Sequence, residues 1–316
     1  MSGERRAESL EPKACPVCAA SQLRARPFGY SFNDKWLGGF ECGTCGIIFI
    51  HPQPTAEEIV QMYSKEYFEG DFRCGHAGSY FDEKTQTSLE DEALINRIMQ
   101  FKPSGKFLEI GCAGGAFLHA AQKSGYQVKG VEFSDVAAQL ARDKFGLDVV
   151  TGDVTDAKYP DNTFDVVFMG DVLEHLPNPV VTCTEIFRVM VPGGVFVIEC
   201  PMQTNTLFSR AGFIGYGLMG KKATVHLPPY HLFEYRPASM TAMLRRCGFD
   251  ILQRNEGMIP PNEVTLRGSG VQKIGKKVFQ YPNYFLTKTF GVLGDRIEMI
   301  AIRHSERSGV PKGQAK

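Results

Sequence analysis

The middle of the sequence alternates between short apolar runs and amphipathic stretches, and this alternation constrains the fold more than any other feature. The apolar runs predict strands at 106–110, 127–131, 148–150, 164–169 and 194–199. The stretches 115–124, 134–145 and 178–190 have the period of helices. Strands that are joined through helices pair in parallel with right-handed crossovers. The alternation therefore predicts a doubly wound α/β sheet.

The flanking regions are less regular. The first 52 residues are rich in Cys, Gly, Pro and Arg, and a short helix is predicted over 55–68. We expect the chain to divide into a small N-terminal domain at 1–52, a helical lead-in at 53–103, an α/β domain at 104–303 and a disordered tail at 304–316. The irregular segment 202–235 and the long segment 255–294 are longer than plain connections between elements. We therefore expect both to form a cap over a substrate site.

Two Cys-x-x-Cys pairs lie in the N-terminal region, Cys15 with Cys18 and Cys42 with Cys45. Together they can present four thiolates to one ion at about 2.3 Å, the tetrahedral arrangement of structural zinc. The 23 residues between the pairs suggest a ribbon with an extended hairpin tip. A redox role is the weaker interpretation because neither pair lies at a strand-to-helix turn. A closed four-thiolate site has no open position for catalysis, so we expect zinc to stabilise the fold.

A glycine-rich turn joins the first predicted strand to the next helix in the segment FLEIGCAGGAFLHAA. Such a turn lets a ligand approach the backbone, and its N–H groups can face an anion. Three carboxylates share its sheet edge: Glu109 before the turn, Glu132 at the end of the next strand and Asp153 after the third. Each carboxylate alone reads as a solvated or capping residue. Their joint spacing favours one nucleoside site, with Glu132 at the ribose and Asp153 at an adenine amino group.

These segments resemble the class I S-adenosylmethionine-dependent methyltransferases. LEIGCAGG, GVEFS, TGDV, FDVVFMGDVLEHLPNP and VPGGVFVIECP follow in the order and spacing of that family. The lead-in CPVC…FECGTCGIIFIHPQPTAEEIVQMYSKEYF is similar to the zinc ribbon of a bacterial subset, and PPYHLFEYRPASMTAMLRRCGFDI is similar to its acceptor-side segment. The resemblance implies methyl transfer from S-adenosylmethionine on a Rossmann-like, seven-stranded, mostly parallel sheet that ends in an antiparallel hairpin.

The resemblance also implies a set of cofactor-binding residues. Glu109, Gly111 and Gly115 would cradle the methionine part, Glu132 the ribose, Asp153 and Val154 the adenine, with Asp171 and Val172 lining the pocket and Cys112, Ala113 and Phe133 completing the set. Ala113 stands where the family commonly has Gly, and its methyl group is tolerable if the backbone is not left-handed. An NAD-dependent oxidoreductase is the competing interpretation, but GCAGGA does not reproduce GxGxxG.

Two histidines are placed to accept a proton from the acceptor, a task suited to a side chain with a pKa near neutrality. His175 follows the fourth strand in EHLPNP, and His231 lies in PPYHLFEY within the predicted cap. A capping or cofactor-wall role is the alternative for His175, and for His231 the base role and a structural role are equally open. Glu174 could orient His175 or bind a divalent ion with it. The sequence offers no third ligand for such an ion, which favours the orienting role.

Charge distribution and the resemblance limit the classes of molecule that the acceptor can belong to. The resemblance suggests O-, N- or C-methylation of a small molecule or a sugar or glycan precursor of secondary metabolism. An RNA methyltransferase that uses the ribbon to bind nucleic acid is the alternative, but 35 basic and 35 acidic residues give zero net charge. The charges are unevenly distributed, since 53–95 is strongly acidic and 264–294 has five cations and no acid. The basic segment either pairs with the acidic one or attracts an anionic acceptor.

The environment of the chain can also be inferred. No apolar run approaches the 18 or so residues of a membrane span, and the start, MSGERRAESLEPK, lacks the apolar stretch of a signal peptide. Nine cysteines, an odd number, favour metal ligation or burial over a disulfide framework. We therefore expect a cytoplasmic protein.

Overall fold

The computed structural model describes residues 11–62, 87–220, 222–261 and 270–304. Its first elements are β1 (Leu23–Phe32), β2 (Lys35–Cys42), β3 (Ile48–His51), α1 (Ala56–Met62) and α2 (Leu89–Phe101). Helix α2 begins at a capping box, in which the Ser88 side chain accepts from the Asp91 N–H and the Asp91 side chain accepts from the Ser88 N–H. The end of the predicted helix 55–68 and the tail beyond residue 304 lie outside the described residues.

Strands and helices then alternate as the sequence predicts. They are β4 (Lys106–Ile110), α3 (Ala116–Lys123), β5 (Gln127–Glu132), α4 (Asp135–Phe145), β6 (Val149–Thr151), β7 (Phe164–Gly170), a 3₁₀ turn (Leu173–His175), α5 (Pro179–Val189) and β8 (Met190–Pro201). Helix α4 shows why the boundaries are sharp: the Ser134 hydroxyl accepts from the Ala137 N–H at its start, and left-handed Gly146 ends it.

The rest of the chain is more regular than the sequence suggested. It forms a 3₁₀ turn (Gln203–Asn205), α6 (Leu207–Leu218), β9 (Ala223–Val225), β10 (Phe233–Glu234), α7 (Pro237–Arg246), β11 (Phe249–Gly257), α8 (Gly270–Phe290) and β12 (Arg296–Arg303). The segment 202–235 is thus not irregular, because it supplies a helix and two short strands. No helix of the described part combines the length and the apolar character that a membrane span requires.

The large sheet has seven strands in the order β11-β12-β8-β7-β4-β5-β6. Strands β8, β7, β4, β5 and β6 pair in parallel, whereas β12 is antiparallel to both β8 and β11. This arrangement confirms the predicted fold class, including the antiparallel end. Because the parallel strands all end at one edge, the turns after β4, β5, β6 and β7 lie side by side.

A second sheet of five strands carries the four cysteines, in the order β10-β3-β2-β1-β9. Its centre is the antiparallel ribbon β1-β2-β3, and its two edges come from the segment 202–235. Strand β9 pairs in parallel with β1, and β10 pairs antiparallel with β3. The ribbon is therefore completed by strands that the α/β region supplies.

One hydrophobic cluster joins the two sheets. It contains Val17 and Leu37 from the ribbon together with Phe164, Phe196 and Tyr235 from the α/β region, all of them 1% exposed or less. Arg246 also donates a hydrogen bond to the backbone carbonyl of Val17 at 2.6 Å. Since burial of such side chains is the main source of folding free energy, the ribbon and the large sheet stabilise each other.

Candidate functional site

The glycine-rich turn after β4 has the backbone that its sequence predicts. Gly111 and Gly115 adopt φ values of +74° and +83°, which residues other than glycine rarely adopt. A Cβ on Gly111 would overlap Cγ2 of Val172, which follows β7. Gly115 also precedes the first turn of α3, whose N–H groups face the sheet edge. The turn therefore brings bare backbone to the edge where β4 and β7 end.

Ala113 departs from what we expected of it. Its φ is +47°, so its backbone is left-handed although the residue carries a Cβ. The Ala113 N–H donates to Oε2 of Glu132 at 2.8 Å, which fixes the turn against the end of β5. We infer that this charge-assisted hydrogen bond offsets the strain of the Cβ.

The carboxylates of the edge have different environments. Glu109 is 5% exposed. Glu132 accepts from the Ala113 N–H with one oxygen and from the Ser134 N–H with the other, at 2.8 Å each. Asp153 accepts from the Thr155 N–H at 3.0 Å. These bonds orient the carboxylates, and a carboxylate oxygen has a second lone pair for a ligand.

The other predicted cofactor residues also reach this edge. Val154 and Cys112 are buried, and Phe133 is 49% exposed beside Glu132. Asp171 has a φ of +53° and pairs with Arg296 of β12 at 2.7 Å. The sequence analysis missed Arg296, because its register against β8 depends on antiparallel pairing that the sequence pattern does not specify.

A cluster of three predicted residues lies next to this edge. Nε2 of His175 is 3.5 Å from Oε1 of Glu174, and the rings of His175 and His231 meet edge to face with their centroids 5.0 Å apart. Nδ1 of His175 lies 2.6 Å from the Tyr230 carbonyl oxygen. That carbonyl can only accept, so Nδ1 carries the proton and Nε2 presents its lone pair towards Glu174.

Burial sets the protonation of the cluster. It raises the pKa of Glu174 to about 7, and with the charge of His231 it lowers the pKa of His175 to about 4. Burial also opposes charge on His231, but the hydrogen bond from its Nδ1 to Glu234 at 3.4 Å and the charges of Glu234, Glu174 and Asp171 raise its pKa above 6.5. His175 is therefore neutral at pH 7.

Residue Leu232 explains how His231 reaches the cluster. The Leu232 N–H donates to the Glu174 carbonyl at 2.9 Å, while the Leu232 carbonyl accepts from the Ile50 N–H of β3 at 3.1 Å. The backbone beside His231 is thus held between the turn after β7 and the ribbon. Sequence reasoning placed His231 in a cap but could not identify the ribbon as its support, because the contact joins residues far apart in the chain.

The structure corrects one step of our reasoning about a divalent ion. The sequence offered no third ligand beside Glu174 and His175, but His231 supplies a ligand atom within 4.8 Å of theirs. The spacing permits a metal ion, and the same three groups also permit proton transfer.

The four ribbon cysteines form a compact cluster. Sγ of Cys15 is 3.7 Å from that of Cys45, and Sγ of Cys18 is 3.5 Å from that of Cys42. All four sulfurs lie within 4.8 Å of one another. A zinc tetrahedron with bonds of about 2.3 Å has edges of about 3.8 Å, so the cluster fits a zinc ion closely. Cys112, Cys183, Cys200 and Cys247 are buried elsewhere, and Cys74 lies outside the described residues.

Several of the known proteins to which this chain is similar are methyltransferases. Residues 108–198 match the family model described as a methyltransferase domain. The chain is 32% identical over 174 residues to a demethylmenaquinone methyltransferase of Symbiobacterium thermophilum, covering 52% of this chain and 69% of the relative. It is 33% identical over 189 residues to 24-methylenesterol C-methyltransferase 3 of Arabidopsis thaliana, covering 57% of this chain.

The chain spans only about half of the plant protein, 51% of its length. Among solved structures it is similar to a SAM-dependent methyltransferase from Archaeoglobus fulgidus, with a TM-score of 0.44 and 22% identity over 70% of this chain and 97% of that one.

Proposed function

Because this chain belongs to the class I S-adenosylmethionine-dependent methyltransferases, we propose that it transfers a methyl group from S-adenosylmethionine to a small-molecule acceptor. The observation that carries the proposal is the left-handed glycine turn at Gly111 and Gly115, which brings bare backbone to the sheet edge, together with the oriented carboxylate of Glu132 at the neighbouring strand end. Both lie at the edge where α/β sheets bind nucleosides.

The residues of that edge have distinct proposed roles. Gly111, Gly115 and the buried Glu109 hold the methionine part, with Cys112 and Ala113 forming the turn. Glu132 accepts from the ribose hydroxyls beside Phe133, and Asp153 with Val154 contacts the adenine. Asp171 and Val172 close the pocket from the β7 side. The bound cofactor supplies a methyl group on a sulfonium. The acceptor takes this methyl group by in-line displacement, and the thioether is the leaving group.

We propose that His231 is the general base, which removes a proton from the acceptor. A general base must take up a proton, and the contacts with Glu234, Glu174 and Asp171 raise the pKa of His231 against the opposing effect of burial. His175 and Glu174 act as positioning residues: His175 packs its ring against His231, and Glu174 holds the backbone of Leu232. The buried cluster also excludes water from the reacting atoms.

The four-cysteine cluster is proposed to hold a structural zinc ion. Zinc would cross-link the two ends of the ribbon and thereby fix β3, which supports the backbone beside His231. The division into a ribbon at 1–52, a lead-in at 53–103 and a catalytic domain at 104–303 also remains a proposal.

Calorimetry and a transfer screen test these assignments. We expect S-adenosylhomocysteine to bind and NADH not to bind; binding of NADH alone would overturn the proposal in favour of an oxidoreductase. A screen with labelled S-adenosylmethionine against nucleotide sugars, small phenols, amines and total RNA should label a small molecule. Labelling of RNA alone would assign the ribbon to nucleic-acid binding instead.

A further inference from the structure

Helix α8 is inverted relative to an ordinary surface helix. Among its described side chains, those that are buried are the polar Asn283 and Thr287. Its outward side chains include Val278, Tyr281 and Phe285, and all three are exposed, Phe285 to 62%. These three follow at intervals of three and four residues, so they share one face of the helix. A surface helix normally buries such a stripe and exposes its polar side chains, so this face indicates a partner.

The polar side of α8 is used for hydrogen bonds inside the chain. Oδ1 of Asn283 accepts from the N–H of Leu207, the first residue of α6, at 2.8 Å, and Nδ2 of Asn283 donates to the Leu293 carbonyl at 2.7 Å. The Thr287 hydroxyl donates to the Val292 carbonyl at 2.9 Å. Rotating the helix to bury its apolar stripe would break these bonds and leave buried polar groups unpaired. The fold therefore fixes the apolar stripe towards the outside.

Helix α6 extends the apolar surface. It contacts α8, and none of its own residues is buried. Within the described part of the chain, ten of the twenty exposed large apolar side chains lie on or directly after these two helices. They are Phe208, Ile214, Tyr216, Leu218, Met219, Val278, Tyr281, Phe285, Phe290 and Val292. We call these ten residues the α6–α8 surface. Because they are concentrated on two helices in contact, they differ from scattered exposed side chains, which need no explanation.

The charge of this region has one sign. The segment 202–233 has three basic residues, the segment 264–294 has five, and neither contains Asp or Glu. Lys222, which follows α6, and Lys288, which lies on α8, are exposed. An apolar, aromatic-rich helix face accompanied by lysines is typical of a helix that lies in the interface of a bilayer with anionic headgroups. The charge thus complements an anionic lipid surface.

The inner side of α6 is held by the ribbon. The ring of Phe213 packs on Phe28 of β1 with centroids 5.7 Å apart, and the Arg26 guanidinium lies 4.7 Å from the centroid of the same ring. These contacts join α6 to the sheet that carries the four cysteines. A partner on the outer side of α6 would therefore be connected to the ribbon through this one helix.

We propose that the α6–α8 surface docks on an anionic lipid bilayer, with its aromatic and aliphatic side chains inserted at the level of the headgroups. The proposal goes beyond the methyl transfer proposed above and does not rest on it. A second copy of this chain fits the surface less well. A two-fold contact would bring together two basic surfaces to which 202–233 and 264–294 contribute no acid.

Vesicle flotation with the full-length, zinc-loaded protein tests the proposal. We expect the wild type to bind vesicles of phosphatidylcholine and phosphatidylglycerol at least about tenfold more tightly than vesicles of phosphatidylcholine alone. Leu218→Ser and Phe285→Ser should each lower partitioning into the anionic vesicles about tenfold, because each removes an apolar side chain that would insert. Leu89→Ser is the matched control, since Leu89 is 81% exposed and Leu218 is 84% exposed, but Leu89 lies on α2. Its partitioning should stay within about twofold of the wild-type value.

Two further measurements separate insertion from adsorption by charge. Lys288→Gln should lower partitioning into anionic vesicles about fivefold at low salt, whereas Lys123→Gln, at an exposed lysine of α3, should not change it. Phe285→Trp should show blue-shifted emission with anionic vesicles, against the background of Trp36, the only tryptophan of the wild type. Bound protein whose emission does not shift would contradict insertion.

The contradictory outcomes differ from one another. Wild-type protein that floats with neither kind of vesicle would overturn the proposal, and equal binding to both would exclude anionic lipid as the specific partner. Unchanged partitioning of Leu218→Ser and Phe285→Ser would overturn the location. A dimer in analytical ultracentrifugation that both variants convert to a monomer, without vesicle binding, would assign the surface to a second copy.

Calorimetry with S-adenosylhomocysteine keeps this test separate from the proposed methyl transfer. The variants of the α6–α8 surface should bind S-adenosylhomocysteine as the wild type does, which also shows that they are folded. A wild type that binds vesicles but not S-adenosylhomocysteine would overturn the proposed methyl transfer and support the docking surface.

Discussion

The proposed cofactor edge and the cluster of Glu174, His175 and His231 are built in opposite ways. The cofactor edge draws its residues from 109–172, and each stands at or just after the end of a parallel strand. The cluster joins a turn after β7 to His231 more than 50 residues later, and Ile50 of the ribbon holds the backbone beside it. The first site follows from the order of strands along the chain, whereas the second exists only once the two sheets have docked. Substitutions in one of these two regions should therefore leave the other largely unaffected.

Loss of the proposed ribbon zinc should have the largest effect, and chiefly on the histidine side. Cys15→Ser leaves three thiolates and should weaken the proposed zinc site, which we expect to contribute on the order of 10 kcal/mol to local folding. We expect methyl transfer to fall more than about 1000-fold, because β3 no longer supports Leu232, while affinity for S-adenosylhomocysteine changes less than about threefold. Metal analysis should find one zinc per chain in the wild type.

A second equivalent of metal, lost in His231→Ala but kept in Cys15→Ser, would contradict the proton-transfer role and assign the Glu174, His175 and His231 cluster to an ion instead.

Removal of the proposed base comes next. His231→Ala should lower kcat between about 100- and 1000-fold, because general-base catalysis contributes that much, and should leave cofactor affinity unchanged. His119→Ala is the matched control, since His119 stacks on Phe145 of α4 away from the cluster. Rates from single-turnover experiments and affinities from calorimetry make the test. Equal loss of turnover and cofactor affinity would show that His231 is structural.

The cofactor edge has its own sensitive position. Gly111→Ala would force a Cβ into Val172 at a left-handed φ, so we expect affinity for S-adenosylhomocysteine to fall about 100-fold, or about 2.7 kcal/mol. Gly125→Ala is the control, because Gly125 also has a positive φ but its Cβ would meet nothing within 4 Å. That variant should lose about 1–2 kcal/mol of stability and keep its affinity. Similar affinities in both variants would remove Gly111 from the cradle.

The pH dependence sharpens the assignment on the acceptor side. A base must be deprotonated, so a raised pKa of His231 moves the acid limb of kcat above pH 6.5. Glu234→Gln removes the carboxylate that hydrogen-bonds to the ring, and we expect the limb to shift to lower pH. His175, Glu174 and Asp171 also face His231 and remain in this variant. Glu185→Gln, which removes a partner of Arg188 on α5, should leave the limb in place.

Salt should have the smallest effect. If the basic segment 264–294 attracts an anionic acceptor, the KM for a nucleotide sugar should rise a few-fold between about 50 and 500 mM salt. A KM that does not change with salt would favour pairing of that segment with the acidic region 53–95. Part of each segment lies outside the described residues.

The difference between the regions also explains how far the sequence could be interpreted. The strands β4 to β8, the turn at Gly111 and the carboxylates at 109, 132 and 153 followed from local period and spacing. The left-handed φ of Ala113 did not, because the Glu132 carboxylate that accepts from its N–H lies on another strand. Strands β9 and β10 are too short to have a period, and they form because the ribbon offers open edges.

The two hydrogen bonds of Leu232 have a consequence for protein engineering. They join the cysteine-bearing sheet and the histidine beside Leu232 into one mechanical unit through the backbone of a single residue. A chain shortened to begin at the lead-in would lose the support of Leu232 and the neighbour of β10 together. Exchanging the ribbon between homologues should therefore be treated as a way of changing which acceptor is used, and β9 and β10 should be exchanged with it.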